Sequence, residues 1–420
     1  MLIAGEASGD LLAAELVSAL REKLPDAKFF GAGGQKMSAT GVELTFDMTQ
    51  HAVVGFTDVL KNYFKFRRLF EQLLALAIER KPDVIIGIDF GGFNLRFGQA
   101  IKKFVRQNQN RSASTPWNPK IVQFVSPQVW ASRPKRAQVL ERDYDLLLSI
   151  FPFEKNWYAQ RAPNLRVEFV GNPLVERFEK EQNQKLNPLF WTKPGSTTEL
   201  FSISPGEFVI ADSKGYSPPP ERINKKLVVL LPGSRMGELY RHVAVMLSAA
   251  KILEKSTNCF FRIVLPTESL AHYVAGFELA EYLIEDRRAL EIHVGGLAQS
   301  LKEADVAIAS TGTVTMECAF FGVPTVTLYK TSWLTYEIGK RIVTVKSLTM
   351  PNLLAGEEVY PEFIQHFATP ENISDAALEL LQNESRRQKI KAQLGKVVAS
   401  LGELGAANRA AAVILSLFSN

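Results

Sequence analysis

The sequence predicts an α/β protein made of two doubly wound, Rossmann-like domains with a cleft between them. Three observations lead to this fold class. The chain has 420 residues, enough for two domains of ordinary size. Short apolar segments recur along it, each followed by a Gly- or Pro-bearing turn and an amphipathic helix. Most of these segments are continuously apolar rather than alternating, which is typical of parallel strands covered on both faces.

The predicted strands fall in both halves of the chain, and segments such as 10–24 and 94–106 are predicted crossover helices. In the first half we expect strands at 1–4, 27–31, 83–88, 120–125, 145–150 and 166–170. In the second half we expect them at 227–231, 259–265, 290–294, 305–309 and 324–329.

Composition shifts along the chain indicate its domain organisation. The first domain is expected to span 1–175. Residues 176–226 are polar and rich in Pro, Gly and Ser from 184 onward, so we interpret them as a linker with a long surface insertion. The second domain follows over 227–395. A helical end at 396–420 can pack back on the first domain.

The overall composition excludes several classes of protein. The net charge of +5 is too small to indicate nucleic-acid binding. Cys259 and Cys318 lie in apolar segments and are predicted to be buried free thiols, with neither disulfide nor zinc spacing. No segment approaches the roughly 18 apolar residues of a membrane span, and no secretory leader is visible, so we expect a cytoplasmic protein.

The first glycine turn follows the first predicted strand. Gly5, Glu6, Ser8 and Gly9 lead into a helix whose N-terminal N–H groups can face an anion. The alternative is a tight structural turn with Asp10 capping that helix.

Asp89 is the strongest candidate for chemistry in the first half. It follows an apolar strand, where α/β sheets bind ligands, and a carboxylate there is placed to act as a general base. Two glycines after it leave room for a bulky substrate, and Asn94 follows on the next helix. The alternative is a turn or N-cap aspartate.

Another segment after a strand contributes polar and aromatic side chains to the same expected cleft. Ser126, Gln128 and Trp130 are its candidate residues. Arg133, Lys135 and Arg136 then form a local basic cluster, for which a solvated surface is the alternative.

The segment 56–70 is predicted to be an amphipathic helix that contacts a membrane surface or an acyl chain. A helix packed on the core is the alternative. Its apolar face carries Phe56, Val59, Leu60, Tyr63, Phe66 and Phe70, and its basic face carries Lys61, Lys65 and Arg68.

Two turns in the second half suit a phosphate group. Gly233, Ser234 and Arg235 follow one strand, and the arginine offers a charged hydrogen-bonding fork to a pyrophosphate. Ser310, Thr311, Gly312 and Thr313 follow another strand and open a helix that carries Glu317. Glu317 is suited to accept hydrogen bonds from a ribose diol, and a surface carboxylate is the alternative.

No metal site is predicted. The five histidines do not cluster with metal spacing, and Asp143-Tyr144-Asp145 precedes a strand instead of ending one.

Taken together, these stretches resemble lipid-A-disaccharide synthases, a family of GT-B type glycosyltransferases. The similarity covers nearly the whole chain in family order. It rests on GEASGD at 5–10, KPDVIIGIDF at 81–90 with Phe93-Asn94, FVSPQVWA at 124–131, FPFEK at 151–155, LLPGSR at 230–235 with Glu238, STGTVTMEC at 310–318, MPNLLAG at 350–356 and PEFIQ at 361–365.

The resemblance implies an inverting, metal-independent transfer that needs no cofactor. The UDP-sugar donor would be UDP-2,3-diacylglucosamine and the acceptor 2,3-diacylglucosamine 1-phosphate, met at the inner-membrane surface. Asp89 would be the base, and Arg235, Glu317 and Asn352 donor-site or catalytic residues. The sequence departs from the family at Gly92, where a second acid is usual.

Two other functions are also consistent with the sequence. One is another enzyme of the same fold, such as a UDP-N-acetylglucosamine 2-epimerase or a transferase with a soluble acceptor. The other is a nucleotide-sugar-binding protein without catalysis. The sequence does not state the oligomeric state.

Overall fold

The computed structural model describes residues 1–48, 56–108, 117–183, 189–192, 209–211, 225–276 and 290–419. Side chains are described in these ranges except at 56–65, 180–183, 189–192, 209–211, 275–276 and 334. The chain divides into two compact units. The first unit joins Met1–Glu176 to Leu401–Asn420, and the second is Arg177–Ser400.

The first unit contains a seven-stranded parallel sheet in the order β3-β2-β1-β4-β5-β6-β7. Its strands are β1 Leu2–Ala4, β2 Phe30–Gly33, β3 Glu43–Asp47, β4 Val84–Ile88, β5 Lys120–Phe124, β6 Leu146–Ser149 and β7 Val167–Phe169. Its helices are α1 Ala7–Lys23, α2 Gln35–Ala39, α3 Phe56–Arg80, α4 Gly91–Asn108, α5 Val129–Ser132, α6 Ala137–Asp143 and α7 Pro152–Ala159. The helix α8 Pro173–Asn183 leads into the second unit.

Both faces of this sheet are covered, which is why its strands are continuously apolar. On β1, Ile3 packs into one core cluster with residues of α3 and α4. Leu2 and Ala4 point to the opposite face and pack into a second cluster with α1. The last helix of the chain, Ala406–Leu415, belongs to this second cluster through Ala410, Ala411 and Ile414.

The second unit contains an eight-stranded sheet in the order β15-β14-β13-β10-β11-β12-β8-β9, in which β8 pairs antiparallel with both β12 and β9 and the other described pairs are parallel. Its strands are β8 Leu189–Thr192, β9 Val209–Ala211, β10 Lys226–Leu231, β11 Cys259–Leu265, β12 Leu290–Val294, β13 Val306–Ser310, β14 Thr325–Tyr329 and β15 Glu362–Ile364. Its helices are α9 Met236–Ser256, α10 Glu268–Gly276, α11 Leu297–Glu303, α12 Thr313–Phe320, α13 Trp333–Ile342, α14 Met350–Ala355, α15 Pro370–Gln382 and α16 Glu384–Ser400, and the chain closes with α17 Ala406–Leu415 in the first unit.

The predicted fold class is confirmed, and every predicted strand is present within a few residues. The strands β3, β8, β9 and β15 were not predicted. The strands β8 and β9 lie within 184–226, which we interpreted as a linker or surface insertion, and they extend the edge of the second sheet. Both cysteines are free and buried, as expected.

Candidate active site

The first unit places two predicted motifs at one point of its sheet. The strand order reverses between β1 and β4, because β1 leads outward to β2 and β3 while β4 leads outward on the other side. Ligands of doubly wound sheets bind beyond the carboxyl ends of the strands at such a switch point. Glu6 follows β1 there, and Asp89 follows β4.

Asp89 sits on an unusual backbone. Asp89 has φ of 48° and Phe90 has φ of 45°, so both lie in the left-handed region, and Val125 on the neighbouring strand end has φ of 66°. Residues other than glycine are uncommon in this region, and a β-branched valine there is a genuine outlier. Such strain persists only when surrounding contacts fix it, and it concentrates at functional sites.

Two buried amides fix the strained turn. The side chains of Asn94 and Gln123 each donate a hydrogen bond of 2.9 Å to the carbonyl oxygen of Asp89. The Asp89 amide in turn donates to the Phe124 carbonyl at 2.8 Å. The sequence interpretation missed Gln123 altogether, since one polar residue in an apolar strand carries little signal. It placed Asn94 in the cleft, whereas its buried side chain positions the turn.

The electrostatics of Asp89 suit a base. Burial raises the pKa of its carboxyl above the usual range, and the nearby Glu6 carboxylate raises it further, while a hydrogen bond from the Phe90 amide acts in the opposite direction. A higher pKa makes the carboxylate a better proton acceptor.

The surrounding glycines have different roles. A Cβ on Gly5 would lie 2.4 Å from the Phe90 ring, and one on Gly91 would lie 2.8 Å from Pro127, so both glycines permit close packing. A Cβ on Gly92 would meet no atom within 4 Å. Only Gly92 therefore leaves the open space that we expected after Asp89, and a side chain would fit there.

Asp10 does not cap α1, and that interpretation was wrong. It lies inside α1, and its buried carboxylate accepts hydrogen bonds from the backbone amides of Gly34, Lys36 and Met37 at 2.7, 3.0 and 3.1 Å. It therefore caps α2 and joins α1 to the glycine-bearing turn at Gly33 and Gly34, between β2 and α2.

Ser126 and Trp130 lie inside the unit. The Ser126 hydroxyl contacts the Tyr158 hydroxyl at 3.1 Å, and the Trp130 indole donates to Glu154 at 2.9 Å. Burial raises the pKa of the Glu154 carboxyl to about 7, although the hydrogen bonds that it accepts lower this pKa. These two side chains support the loop after β5 from within, and only Gln128 of the three is exposed.

The second unit repeats the same arrangement at its own switch point. Its strand order reverses between β10 and β13, whose ends carry the two predicted phosphate-binding turns. Gly233 has φ of 120°, and a Cβ there would lie 3.4 Å from the Ser310 hydroxyl and 3.3 Å from a Glu238 oxygen. The two turns therefore lie close together, and the positive φ favours glycine at this position.

Two helices begin at these turns, and Gly233, Ser234 and Thr311 lie just before them. Arg235 is the N-cap residue of α9, and its side chain makes no capping hydrogen bond; the N-cap residue of α12 is Gly312, which has no side chain to cap with. Ser234 and Thr313 are exposed beside them. Helix N-termini carry partial positive charge and free N–H groups, which favours a phosphate group.

Charged side chains flank these helix ends. The Arg235 side chain is 63% exposed and lies 3.6 Å from Glu238, so its guanidinium is accessible to a ligand. Glu317 is partly buried on the second turn of α12.

His242 was missed by sequence reasoning. It is fully buried on α9, and its Nδ1 lies 2.9 Å from the Pro232 carbonyl oxygen, while Nε2 accepts a hydrogen bond of 3.0 Å from the Lys330 amide. Burial lowers its pKa, and this pattern requires a neutral ring with the proton on Nδ1. His242 thus joins the turn after β10 to the end of β14.

Asn352 is not placed to touch a substrate, which corrects the role implied by the resemblance. It is buried, and its oxygen accepts from the Val359 and Tyr360 amides at 2.8 Å. Its nitrogen donates to the Tyr360 carbonyl and to Glu362, also at 2.8 Å. All the hydrogen-bonding capacity of the amide is used within the fold.

The structure describes the side chains of only part of the predicted membrane helix. The side chains of Phe56, Val59, Leu60, Lys61, Tyr63 and Lys65 lie outside the described residues. Arg68 is exposed. Phe66 and Phe70 are half-buried against the core, and the Phe70 ring meets Phe93 edge-on at 5.4 Å, so this end of the helix packs on the domain.

The acidic pair before β6 is engaged with cations. Asp143 is buried between Arg106 and Arg142, and Asp145 pairs with Lys102 at 2.9 Å. Within the part of the chain that the structure describes, no group of three or more His, Cys, Asp or Glu side chains is arranged to hold a metal.

Two Rossmann-like domains, with a carboxylate at one switch point and two glycine turns at helix N-termini at the other, have the architecture of GT-B type glycosyltransferases and related epimerases. Similar solved structures agree with this fold. UDP-GlcNAc 2-epimerase from Neisseria meningitidis matches with a TM-score of 0.53 at 10% identity, covering 100% of this chain and 99% of that one. MurG from Acinetobacter baumannii matches with a TM-score of 0.52 at 13% identity, covering 99% and 98%.

The chain belongs to the lipid-A-disaccharide synthetase family, whose sequence model matches residues 1–190 and 221–416. A lipid-A-disaccharide synthase from Myxococcus xanthus is 33% identical over 99% of this chain and 97% of its own length. One from Trichlorobacter lovleyi has the same identity and coverage. The chain is therefore a glycosyltransferase of lipid A biosynthesis.

Proposed function

We propose that this enzyme joins UDP-2,3-diacylglucosamine to 2,3-diacylglucosamine 1-phosphate with inversion at the anomeric carbon, releasing UDP. The observation that carries the proposal is the pair of switch points. One presents a carboxylate of raised pKa on a turn held by two side-chain amides, and the other presents two neighbouring turns at helix N-termini beside an accessible arginine. Family membership supplies the substrate class.

In the proposed reaction, Asp89 accepts the proton of the acceptor 6-hydroxyl. The oxygen attacks the anomeric carbon of the donor from the face opposite UDP, and the bond from that carbon to the pyrophosphate oxygen breaks. Asp89 leaves the step protonated, and UDP leaves with the bonding electron pair. The Asn94 and Gln123 amides hold the Asp89 backbone during this step.

Negative charge grows on the departing pyrophosphate. We propose that Arg235 and the N-terminus of α12 stabilise it electrostatically, so that transfer needs neither a metal nor a cofactor. Ser310 and Thr311 line the turn in front of α12, and Glu317 is proposed to bind the ribose hydroxyls.

The substrates carry acyl chains, and we also propose that the enzyme meets them peripherally at the inner-membrane surface, on its cytoplasmic side. Among the described residues, none of the helices has the length and apolar character to cross a bilayer.

The rival functions have less support. The likeness to epimerases rests on structures of 10% to 16% identity, which reports the fold alone. A protein that only binds nucleotide sugars does not require a strained backbone at Asp89 that the Asn94 and Gln123 amides hold in place.

Product analysis tests the proposal. The purified full chain is incubated with both acylated substrates, and mass spectrometry with NMR follows the products. We expect a tetraacylated disaccharide 1-phosphate of inverted anomeric configuration, with equimolar UDP. An isomerised UDP-sugar, or binding without turnover, would overturn the proposed reaction.

A further inference from the structure

Three arginines lie together on the first unit, near the turn that carries Asp89. Arg96 is on α4, while Arg133 and Arg136 lie between α5 and α6. Burial lowers the pKa of the half-buried Arg136 guanidinium, and the charges of Arg133 and Arg96 lower it further, so the three cations are neighbours. We call these three residues the arginine cluster.

The packing of the backbone explains why the two segments meet. The loop after β5 touches the start of α4, where a Cβ on Gly91 would lie 2.8 Å from Pro127. Farther along the chain, α6 packs against α4. Because Arg133 and Arg136 lie between these two contacts in the chain, their segment runs beside the part of α4 that carries Arg96.

The arginine cluster has no counter-ion in the part of the chain that the structure describes. None of its guanidiniums makes an ion pair or a side-chain hydrogen bond with another described residue. Elsewhere in the same unit, by contrast, two arginines share the Asp143 carboxylate. Neighbouring like charges repel one another unless an anion compensates them, and a phosphate group can accept hydrogen bonds from several guanidiniums at once.

An open space adjoins the arginine cluster. Gly92 is exposed, and a Cβ there would meet no atom within 4 Å. Arg96 follows Gly92 by one turn on the same face of α4, and helical side chains lean towards the N-terminus of their helix. The Arg96 side chain is therefore directed towards the space above Gly92, beside the Asp89 turn.

We propose that the arginine cluster binds the 1-phosphate of the sugar acceptor. This inference rests on the proposed function, in which Asp89 accepts the proton of the acceptor 6-hydroxyl. The anomeric carbon and the carbon that bears the hydroxymethyl group flank the ring oxygen of the sugar. Arg96 lies roughly 8 Å along the axis of α4 from its first residue, so one sugar ring with its phosphate can reach from the base to the arginine cluster.

The donor phosphates have their own proposed site in the second unit, at the turns beside Arg235. The acceptor phosphate is a monoester with a charge of about −1.5 to −2 at neutral pH, and it needs a separate anion site on the unit that carries Asp89. The arginine cluster supplies that site. It thus selects acylated sugars that keep their 1-phosphate over those that lack it.

Binding of two matched sugars to the full chain tests the proposal without turnover. The probes are a short-chain 2,3-diacylglucosamine 1-phosphate and the same sugar without its phosphate, titrated by calorimetry in the absence of donor. A charge-assisted hydrogen bond changes affinity by about 10-fold or more. We therefore expect the wild type to bind the phosphorylated sugar at least about 10-fold more tightly than the other sugar.

A double variant removes two of the three cations. In Arg96→Gln with Arg136→Gln, the affinity for the phosphorylated sugar should fall at least about 10-fold, while that for the other sugar stays unchanged. The matched control Lys103→Gln removes an exposed cation from the same face of α4, two turns beyond Arg96, and should leave both affinities unchanged. If the double variant fails to fold, Arg96→Gln alone decides, because that side chain is exposed.

The outcomes separate the proposal from its rivals. Equal affinity of the wild type for the two sugars, or an unchanged preference in the double variant, would overturn it. With that preference intact, a loss of UDP affinity would assign the arginine cluster to the donor, and a loss of binding to phosphatidylglycerol vesicles would assign it to lipid headgroups. The product assay is run separately: a chain that distinguishes the two sugars but makes no disaccharide keeps this site and fails the proposed reaction.

Discussion

Replacing Asp89 with Asn isolates the proposed base from the turn that carries it. The backbone of residue 89 keeps its hydrogen bonds to Asn94, Gln123 and Phe124, because none of them uses the carboxylate. Asparagine tolerates the left-handed φ of 48° about as well as aspartate does. The substitution also removes a charge that burial disfavours. We therefore expect the free energy of unfolding to stay within about 0.5 kcal/mol of the wild type.

Turnover should nevertheless fall by at least about 100-fold, the range of general-base catalysis, or about 2.7 kcal/mol of transition-state stabilisation. Initial rates of UDP release measure this, and titration calorimetry should show UDP affinity unchanged. The matched control is Asp26→Asn, which neutralises an exposed aspartate and should retain full activity. Turnover of Asp89→Asn within about ten-fold of the wild type would refute the reasoning.

Three further predictions address the neighbouring groups. Glu6→Gln removes one cause of the raised Asp89 pKa, so the acid limb of the pH–rate profile should move to lower pH; an unmoved limb contradicts the pairing. Arg235→Ala should weaken UDP binding about 10- to 100-fold, measured by calorimetry, because a charge-assisted hydrogen bond is lost. The control Arg241→Ala, also on α9, should leave UDP affinity unchanged. Asn352→Leu removes four hydrogen bonds and leaves three backbone groups of Val359 and Tyr360 without this partner, while Glu362 keeps its bonds from Thr349. It should lower the free energy of unfolding in urea by about 3 kcal/mol, whereas a change under about 1 kcal/mol would return Asn352 to the list of substrate contacts.

The sequence predicted the positions of the site better than the roles of its polar residues. Apolar strands followed by glycine turns are local patterns, so the ends of β4, β10 and β13 could be found by inspection. The role of a polar side chain depends on where it points, which long-range contacts decide. Trp130 and Asn352 lie within recognisable motifs, yet each satisfies a buried partner from another segment.

The same limit explains the missed residues. Gln123 lies in the apolar strand β5, and His242 lies in α9, whose sequence has no motif around it. Only the folded structure shows that Gln123 binds the Asp89 carbonyl and that His242 contacts the Pro232 carbonyl. The strands β8 and β9 lie in a polar segment without periodicity, and their pairing with β12 and with each other supplies what their sequence does not.

The first unit is assembled from both ends of the chain, and this has a consequence for its biogenesis. Ala410, Ala411 and Ile414 of α17 cover apolar residues of α1, and the Arg409 guanidinium donates to the Val170 carbonyl at 2.8 Å. In a nascent chain this face of α1 therefore stays uncovered until residues 401–420 leave the ribosome, after the whole second unit at 177–400 has been synthesised. We expect a chain ending at residue 400 to bind a hydrophobic dye and to aggregate, and a separately added 401–420 peptide to reduce both effects. Dye binding equal to that of the full chain would show that the first unit closes without its final helix.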